Sequence, residues 1–470
     1  MSIKQTSWSP SFCCPSAGRQ LVAIVNDTVR PCDNLYAYVC AGVVRNGTGK
    51  SEMLLRNLEE MILGLPAAPA GRFASSASSL TSSKAGMFLQ GLYSSCLAAS
   101  NAKPHRDQDG HDVPSRFFQM AAALWAITSK LLAQLNEPNL LAFLFMINLR
   151  YQIRSVVEIQ YLSSTATLLF YHDALELNTE MHLECVECVA AALMAYNRNG
   201  ETSRQVSDGS SQRELNSSRL TFDDVGGFAE RLHSLYSKRR AVERFVMTNI
   251  SQLWPAEQFV KALSILSWVD SPADVSVESF APHQLVILRR EITDSNNWAV
   301  GAVYLVAHTV ARSYLTIPSV RGTDYAHPAC MELTTDMTAL VNTAHWDLYG
   351  SPEKEKIVAD MYRSVVDAVA FEASSGLLVS EAGREAHRPI RSLISSITLL
   401  TAEASSVDAA EVPKATTVDF TGNLLLGRSF QFEARKKRHR LGLPGSASKL
   451  VPVLHTGRRL YLEVPASFYR

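Results

Sequence analysis

Apolar positions along most of the chain recur at the three- and four-residue spacing of an α-helix. The run from Leu54 to Ile62, after Ser51, keeps this spacing and predicts one buried helical face. Pro255 opens a second such pattern, in which Phe259 and Leu263 lie four residues apart. The periodicity therefore predicts a mainly α-helical protein.

One helix start is marked more sharply than the others. Ser351-Pro352-Glu353 combines a capping hydroxyl, a proline in the first turn and an acid near the positive end of the helix. Apolar residues then follow every four positions and predict the apolar face of this helix: Ile357, Met361, Val365 and Val369.

Strands are few in the predicted structure. The β-branched and aromatic segments 156–161 and 167–171 flank the polar Ser163-Ser164-Thr165, which predicts a hairpin. A further strand is predicted over residues 460–464. The expected fold class is mainly α with a few short β-hairpins.

Composition and charge narrow the class of protein. The 470 residues are 47% apolar, as in a protein with a substantial core. Lys plus Arg and Asp plus Glu both number 45, and this balance argues against a nucleic-acid binder. The longest apolar run, residues 140–147, is shorter than the roughly 20 residues of a membrane span, and Met1–Pro10 has no apolar signal-peptide core. Taken literally, these features predict a cytosolic chain with no membrane span.

The cysteines and glycosylation sequons instead indicate a protein outside the cytosol. The chain has eight cysteines, and sequons begin at Asn26, Asn46, Asn216 and Asn249. Together they indicate a secreted glycoprotein whose true N-terminus is missing from this sequence.

The segment Pro31–Gly42 carries the most specific pattern in the chain. It contains Pro-Cys, an acid, a Tyr-x-Tyr pair and a second cysteine eight positions after the first. This segment resembles the opening signature of the neprilysin and endothelin-converting enzyme family of zinc metallopeptidases. Leu35, Ala41 and Val43 depart from the family's Phe, Gly and Trp.

Further cysteines follow in the order of that family. Cys96, after Tyr93-Ser94-Ser95, and Cys330, before the Ser351 helix, resemble the two halves of a family disulfide. The resemblance implies a second, local disulfide between Cys185 and Cys188. It also implies that Cys32 and Cys40 stay unpaired, because their family partners lie in the catalytic half.

The resemblance implies a neprilysin-like organisation along the chain. Residues 1–31 form a lead segment, and residues 32–417 form the non-catalytic helical domain. Residues 418–470 form a stub of the catalytic lobe, in which Phe420 to Pro465 resembles the lead-in to the zinc motif.

The zinc chemistry of the family is missing from this sequence. Such enzymes hold zinc with two histidines one helical turn apart and use an adjacent Glu as general base, in the pattern HExxH. No HExxH occurs here, and neither His172 with His182 nor the stretch around His308 replaces it. The family's substrate-binding Asn-Ala pair aligns with Pro452-Val453, where proline removes a backbone donor from an edge expected to hold a peptide. We therefore assign no catalytic and no metal-binding residue, and we expect no cofactor in this chain.

Three isolated features have ordinary structural interpretations. Cys185-x-x-Cys188 lacks the second pair of a zinc knuckle, so a local disulfide or two quiet thiols are expected rather than a redox or metal site. The basic run Arg435–Arg440 is interpreted as a solvated helix end rather than a nuclear signal, processing site or anion patch. His345, beside Trp346, is interpreted as a structural histidine.

Three hypotheses of function remain open at this stage. The chain is an inactive neprilysin-like protein that binds peptides or proteins, part of an active secreted or membrane-anchored zinc endopeptidase, or a helical interaction module unrelated to that family. The resemblance implies an extracellular or cell-surface location. It leaves open whether the gene product is an enzyme.

Overall fold

The structure of the chain is a computed structural model with two compact units, Met1–Ala74 and Ser75–Arg470. It describes residues 83–100, 105–106, 112–113, 115–132, 136–162, 167–171, 186–204, 220–239, 248–249, 255–266, 275–279, 282–293, 297–316, 323–375, 392, 396–401, 411–416, 419–440, 453–456 and 460–464. The whole first unit lies outside these ranges, and with it the predicted helix after Ser51 and the Pro31–Gly42 segment. The residues on both sides of the predicted boundary at 417 belong to the second unit.

Most of the described residues are helical, which confirms the predicted fold class of a mainly α protein with short strands. The helices are α1 Lys84–Ser100, α2 Ser115–Leu132, α3 Glu137–Phe145, α4 Val186–Arg204, α5 Phe222–Arg239, α6 Ala256–Leu266, α7 Pro282–Thr293, α8 Trp298–Thr316, α9 Thr323–Thr335, α10 Thr338–Tyr349, α11 Pro352–Ser375 and α12 Phe420–Arg440. A π-helical segment, Met146–Arg150, continues α3. Within the described part of the chain, no helix is both long enough and apolar enough to cross a membrane.

The strands form three small sheets. The bounds are β1 His105–Arg106, β2 Asp112–Val113, β3 Glu158–Leu162, β4 Thr167–Tyr171, β5 Thr248–Asn249, β6 Ser276–Ser279, β7 Ile397–Leu400, β8 Val453–Thr456 and β9 Leu460–Glu463. Strands β1 and β2 pair alone, and the larger sheets have the orders β3-β4-β6-β5 and β7-β9-β8. The predicted hairpin is confirmed as β3 and β4, and the predicted strand at 460–464 is confirmed as β9.

Helices α9, α10 and α12 pack against α1 around a core of buried apolar side chains. The side chains of Phe88 and Leu92 on α1 are almost fully buried. A Cβ added at Gly427 of α12 would lie 3.1 Å from the Phe88 ring, so glycine allows the two helices to approach closely. Asn423 of α12 also donates a buried 2.9 Å hydrogen bond to Ser95 Oγ of α1. The long final helix is therefore part of this core.

A second helical layer consists of α2, α4, α5 and α8. Trp125 of α2 donates a buried hydrogen bond to the carbonyl of Ala192 in α4. The rings of Phe228 in α5 and Tyr304 in α8 lie 5.3 Å apart, edge to face, a favourable geometry for aromatic side chains. Large apolar side chains thus fix these helices to one another.

The four-stranded sheet is attached to the helices through three aromatic rings. Phe145 at the end of α3, Phe170 of β4 and Phe259 of α6 lie with ring centroids 6.1 to 6.3 Å apart. Phe259 and Leu263 are buried, as the helical pattern after Pro255 predicts.

Helix α11 begins where the sequence predicts but buries a different face. Ser351 Oγ accepts a hydrogen bond from the backbone N–H of Lys354, which confirms the predicted cap. However, Ile357, Met361 and Val365 are 57%, 58% and 60% exposed, so these three positions of the predicted apolar face point outward. The side chain of the fourth, Val369, lies outside the described part of the structure. Val358 instead packs with Trp346 and Leu399 around Val464. Val358 and Tyr362 lie about 20° and 60° beyond Val365 around the helix, so the face that packs on the β7-β9-β8 sheet adjoins the predicted face but does not coincide with it.

Candidate functional site

Strand β8 forms one edge of the three-stranded sheet. It pairs with β9 in antiparallel register, with Val453 opposite Glu463 and Thr456 opposite Leu460. Within the described residues, no strand pairs with its other side. An edge strand presents backbone N–H and C=O groups to which an extended peptide can add as a further strand. The resemblance to the neprilysin family predicts a peptide-binding edge at Pro452-Val453. Val453 lies on an edge strand, while Pro452 lies outside the described residues.

The sheet that carries this edge is anchored by two helices. Arg438 of α12 forms a 3.1 Å ion pair with Glu463 of β9, and the two side chains are 7% and 0% exposed. The Tyr362 hydroxyl of α11 donates a 2.9 Å hydrogen bond to the carbonyl of Ile397 in β7. The edge strand therefore pairs with a strand that is itself held by a buried charge pair.

A groove runs along the outward face of α12. It has a volume of about 480 Å³, within the range of small-ligand pockets. Its lining is apolar at Pro413, Leu426, Phe430 and Ala434, and charged or polar at Glu411, Ser429, Glu433, Lys436 and Lys437. The Nζ atom of Lys436 lies 3.8 Å from Oε2 of Glu433, so these two groove residues form an ion pair with each other.

Two arginines on the inner side of α12 bind the end of the π-helical segment. Arg428 donates to the carbonyls of Tyr151 and Gln152, and Arg435 donates to the carbonyl of Leu149. Burial lowers the pKa of each guanidinium to about 10, although Asp336 opposes this effect at Arg428. Both groups remain cationic at neutral pH and stabilise carbonyl oxygens that a helix end leaves unpaired.

The prediction of a solvated end for the basic run is wrong at Arg435 and Arg438. Arg435 bonds to a backbone carbonyl and Arg438 to a buried carboxylate, whereas Lys437 is exposed as expected. The run covers almost two turns of helix, so its charges are divided between the core and the surface. The sequence interpretation also missed Arg428. Leu424 and Leu425 lie four and three positions before Arg428, on the same face of the helix, and both are buried. This spacing is a usable sequence signal that Arg428 is a buried cation.

A smaller pocket of about 260 Å³ lies beside Arg428. Glu332 and Asp336 of the α9–α10 region and Gln152 line it together with the guanidinium. Gln152 has a positive φ of 51°, an uncommon conformation for this residue type. The pocket is thus polar and contains charges of both signs.

Cys96 and Cys330 are joined by a disulfide bond in the structure. Their Cα atoms are 5.8 Å apart, and the two residues are 2% and 1% exposed. The bond links α1 to α9 across 234 positions of sequence. Ser100 Oγ lies 3.9 Å from Cys330 Sγ and donates to the carbonyl of Cys96. This pair is the one that the resemblance to the neprilysin family implies.

The remaining candidate cysteines are only partly described. Cys188 on α4 is fully buried and takes part in a disulfide bond whose other half is outside the described residues. Cys185, Cys32 and Cys40 lie outside the described residues. The proposed pairing of Cys185 with Cys188, and the proposed free thiols at Cys32 and Cys40, therefore stay predictions.

One of the four candidate glycosylation sites lies on a described strand. Asn249 is in β5, the edge strand of the β3-β4-β6-β5 sheet, where it pairs with Glu278. Asn26, Asn46 and Asn216 lie outside the described residues. Modification at all four sites stays a prediction.

The described histidines do not form a zinc site. His308 of α8 lies 5.8 Å from the Tyr304 ring, and His345 of α10 lies 5.8 Å from the Tyr349 ring, both deep in the helical layers. Among the residues that the structure describes, no three His, Cys, Asp or Glu side chains come together as metal ligands. His172 and His182 lie outside those residues. The described side chains therefore supply no set of zinc ligands, and we derive no step through a metal.

Comparisons with known proteins give weak similarities. No protein-family profile matches the chain, and no curated protein matches it. Among solved structures, the inhibitor complex of the zinc metalloprotease Zmp1 from Mycobacterium tuberculosis has a TM-score of 0.43 and 12% identity, covering 95% of this chain and 69% of that one. The open state of Zmp1 has a TM-score of 0.46 and 14% identity, covering 93% and 70%. PepO from Lactobacillus rhamnosis HN001 has a TM-score of 0.42 and 12% identity, covering 93% and 71%.

Proposed function

We propose that the chain is a neprilysin-like protein that binds extended peptides at the β8 edge and does not hydrolyse them. The edge position of β8 carries the proposal, because an edge strand offers the backbone hydrogen bonds that an extended peptide needs. The ion pair between Arg438 and Glu463 supports it, since the neighbouring strand is fixed before a peptide arrives.

The relationship to the neprilysin family is supported by the Cys96–Cys330 bond. The resemblance to that family implies this pairing, and the Cα distance of 5.8 Å is typical of a disulfide. A buried disulfide also favours an oxidising compartment, and so a secreted or cell-surface protein. The 470 residues contain no HExxH, so the proposal assigns them no zinc-dependent step.

The peptide-binding role can be tested with fluorescein-labelled hexapeptides in an anisotropy titration. Each peptide is compared with versions that are N-methylated at one position at a time. A peptide added to a sheet edge uses the N–H groups of alternate residues, so affinity should fall at every second position by about tenfold. Binding that is indifferent to N-methylation, or absent up to about 1 mM peptide, would contradict the proposal.

Hydrolysis is examined separately with the same peptides. Incubation with the purified chain and added zinc, followed by mass spectrometry, should recover them intact. Cleavage that a chelator abolishes, and that follows the protein through several columns, would support the alternative of an active zinc endopeptidase.

A further inference from the structure

The polar pocket of about 260 Å³ lies beside α9 and α12, two helices that both pack on α1. The α9 side of its lining consists of residues at helical spacings of three and four, on one face of α9 and the turn that follows it: Ala329, Glu332, Leu333, Asp336 and Met337. Arg428 of α12 and Gln152 also line the pocket. The volume is slightly below the range of drug-sized ligand pockets, so the pocket suits a smaller molecule.

Arg428 brings hydrogen-bond donors to this pocket that the protein itself does not use. The residue is 9% exposed, and among the described residues both of its hydrogen bonds come from Nη1, to the carbonyls of Tyr151 and Gln152. A guanidinium has five N–H donors, so Nη2 and Nε keep three for a ligand. These two nitrogens form a planar fork that can bind a carboxylate through two parallel hydrogen bonds. The two carbonyls hold the guanidinium in place before a ligand arrives.

Two carboxylates lie at the rim of the pocket. Glu332 and Asp336 are both exposed and lie one helical turn apart. Burial lowers the pKa of Arg428 to about 10 while Asp336 opposes this shift, so the two charges are within electrostatic reach of each other. The hydrogen bonds that Glu332 accepts from the described residues Thr335 and Asp336 go to its backbone carbonyl, which leaves its carboxylate open to a ligand.

Charges of both signs in one small pocket exclude the simplest ligands. The two carboxylates would repel a bare anion at Arg428, and Arg428 would repel a bare cation at the carboxylates. A small molecule that carries one charge of each sign satisfies both groups at once. The buried side chains of Leu333 and Met337, which are 7% and 2% exposed, add an apolar surface to the same pocket.

We propose that this pocket binds a free α-amino acid with an apolar side chain. The ligand's carboxylate binds Nη2 and Nε of Arg428, its α-ammonium group pairs with Glu332, and its side chain lies against Leu333 and Met337. The proposal is independent of the peptide-binding function, because it uses α9 and α12 rather than the β8 edge.

Calorimetric titration of the purified chain with L-leucine and two analogues tests the assignment of charges. 4-Methylpentanoate is leucine without the ammonium group, and 3-methylbutylamine is leucine without the carboxylate. Leucine should bind with a dissociation constant below about 1 mM, and each analogue should bind at least about fivefold more weakly, because it leaves one charged group of the pocket without a partner. Leucine binding weaker than about 1 mM, or an analogue that loses less than about fivefold, would overturn the proposal.

A rim variant tests the role of Glu332. Arg428 is buried and bonds to the end of the π-helical segment, so the exposed Glu332 is the safer residue to change. Glu332→Gln should weaken leucine binding by about fivefold and should not weaken binding of 4-methylpentanoate, which has no ammonium group to lose a partner. Glu230→Gln, at an exposed acid on α5, is the matched control and should bind leucine like the natural sequence. Equal leucine affinity of the two variants, with circular dichroism establishing that both are folded, would overturn the proposal.

Discussion

The Nη1 atom of Arg438 lies 3.1 Å from Oε1 of Glu463, and both side chains are buried. One belongs to the last long helix and the other to the central strand of the β7-β9-β8 sheet. The pair therefore joins the helical core to the sheet that carries the candidate binding edge.

Removing one member of this pair should be strongly destabilising. Glu463→Gln or Arg438→Met leaves the other group charged in the interior, and we expect the free energy of unfolding to fall by about 3–5 kcal/mol. The double variant Arg438→Met/Glu463→Leu should lose less than the sum of the single losses, because it leaves no buried charge. Urea denaturation measures all three.

The control is the exposed pair of Lys261 and Glu257 on α6. Glu257→Gln should leave the urea midpoint unchanged, because water screens exposed pairs. If Glu463→Gln behaves like this control, the pair does not anchor the sheet.

The Cys96–Cys330 bond should dominate the stability of the helical unit. Replacing both cysteines by alanine should lower the free energy of unfolding by about 5 kcal/mol, because the bond closes a very long loop in the unfolded chain. Replacing both cysteines removes this bond alone, whereas a reductant would also break the disulfide bond of Cys188. Non-reducing peptide mapping of the natural protein should recover one fragment containing both cysteines, and recovery of either one as a free thiol would contradict the bond.

The two faces of α11 should respond differently to truncation. Val358→Ala removes two methyl groups that pack near Val464, and should cost about 1.5 kcal/mol. Ile357→Ala, one residue away on the exposed face, should change monomer stability by less than about 0.5 kcal/mol. Thermal unfolding of the two variants, side by side with the natural sequence, makes the comparison. The reverse order would support the face that the sequence periodicity predicts.

Alkaline pH should destabilise the protein through Tyr304. Burial raises the pKa of Tyr304 well above its ordinary value of 10.0, and burial raises that of Tyr236 as well. Above pH 10 the unfolded chain releases the phenolic proton while the native state keeps it. Stability is therefore fully present below pH 10 and is lost as pH rises toward the native pKa.

Tyr304→Phe should remove part of this pH dependence. The slope of unfolding free energy against pH should become less negative by up to about 1.4 kcal/mol per pH unit above pH 10. Phe228→Leu, which alters the ring packed against Tyr304, is the control and should lower stability by a similar amount at every pH. Identical slopes for Tyr304→Phe and the natural sequence would show that Tyr304 is not protected from ionisation.

The sequence alone determined features that depend on local chemistry. The Ser351-Pro352-Glu353 cap starts α11, because a hydroxyl and a proline act on the first turn wherever the helix later packs. The β3–β4 hairpin follows from two β-prone segments around a short polar turn. The pairing of Cys96 with Cys330, 234 positions apart, was implied only by the resemblance of the chain to the neprilysin family.

Only the tertiary structure decided which side of each element is buried. Helix α11 has apolar residues on more than one face, and the docking of the β7-β9-β8 sheet selected Val358 and Tyr362 rather than Ile357 and Met361. The same holds for Arg435 and Arg438, whose burial depends on the Leu149 carbonyl and the Glu463 carboxylate. Periodicity measures how apolar a face is, but burial depends on partners that are distant in sequence, and those partners are set by packing.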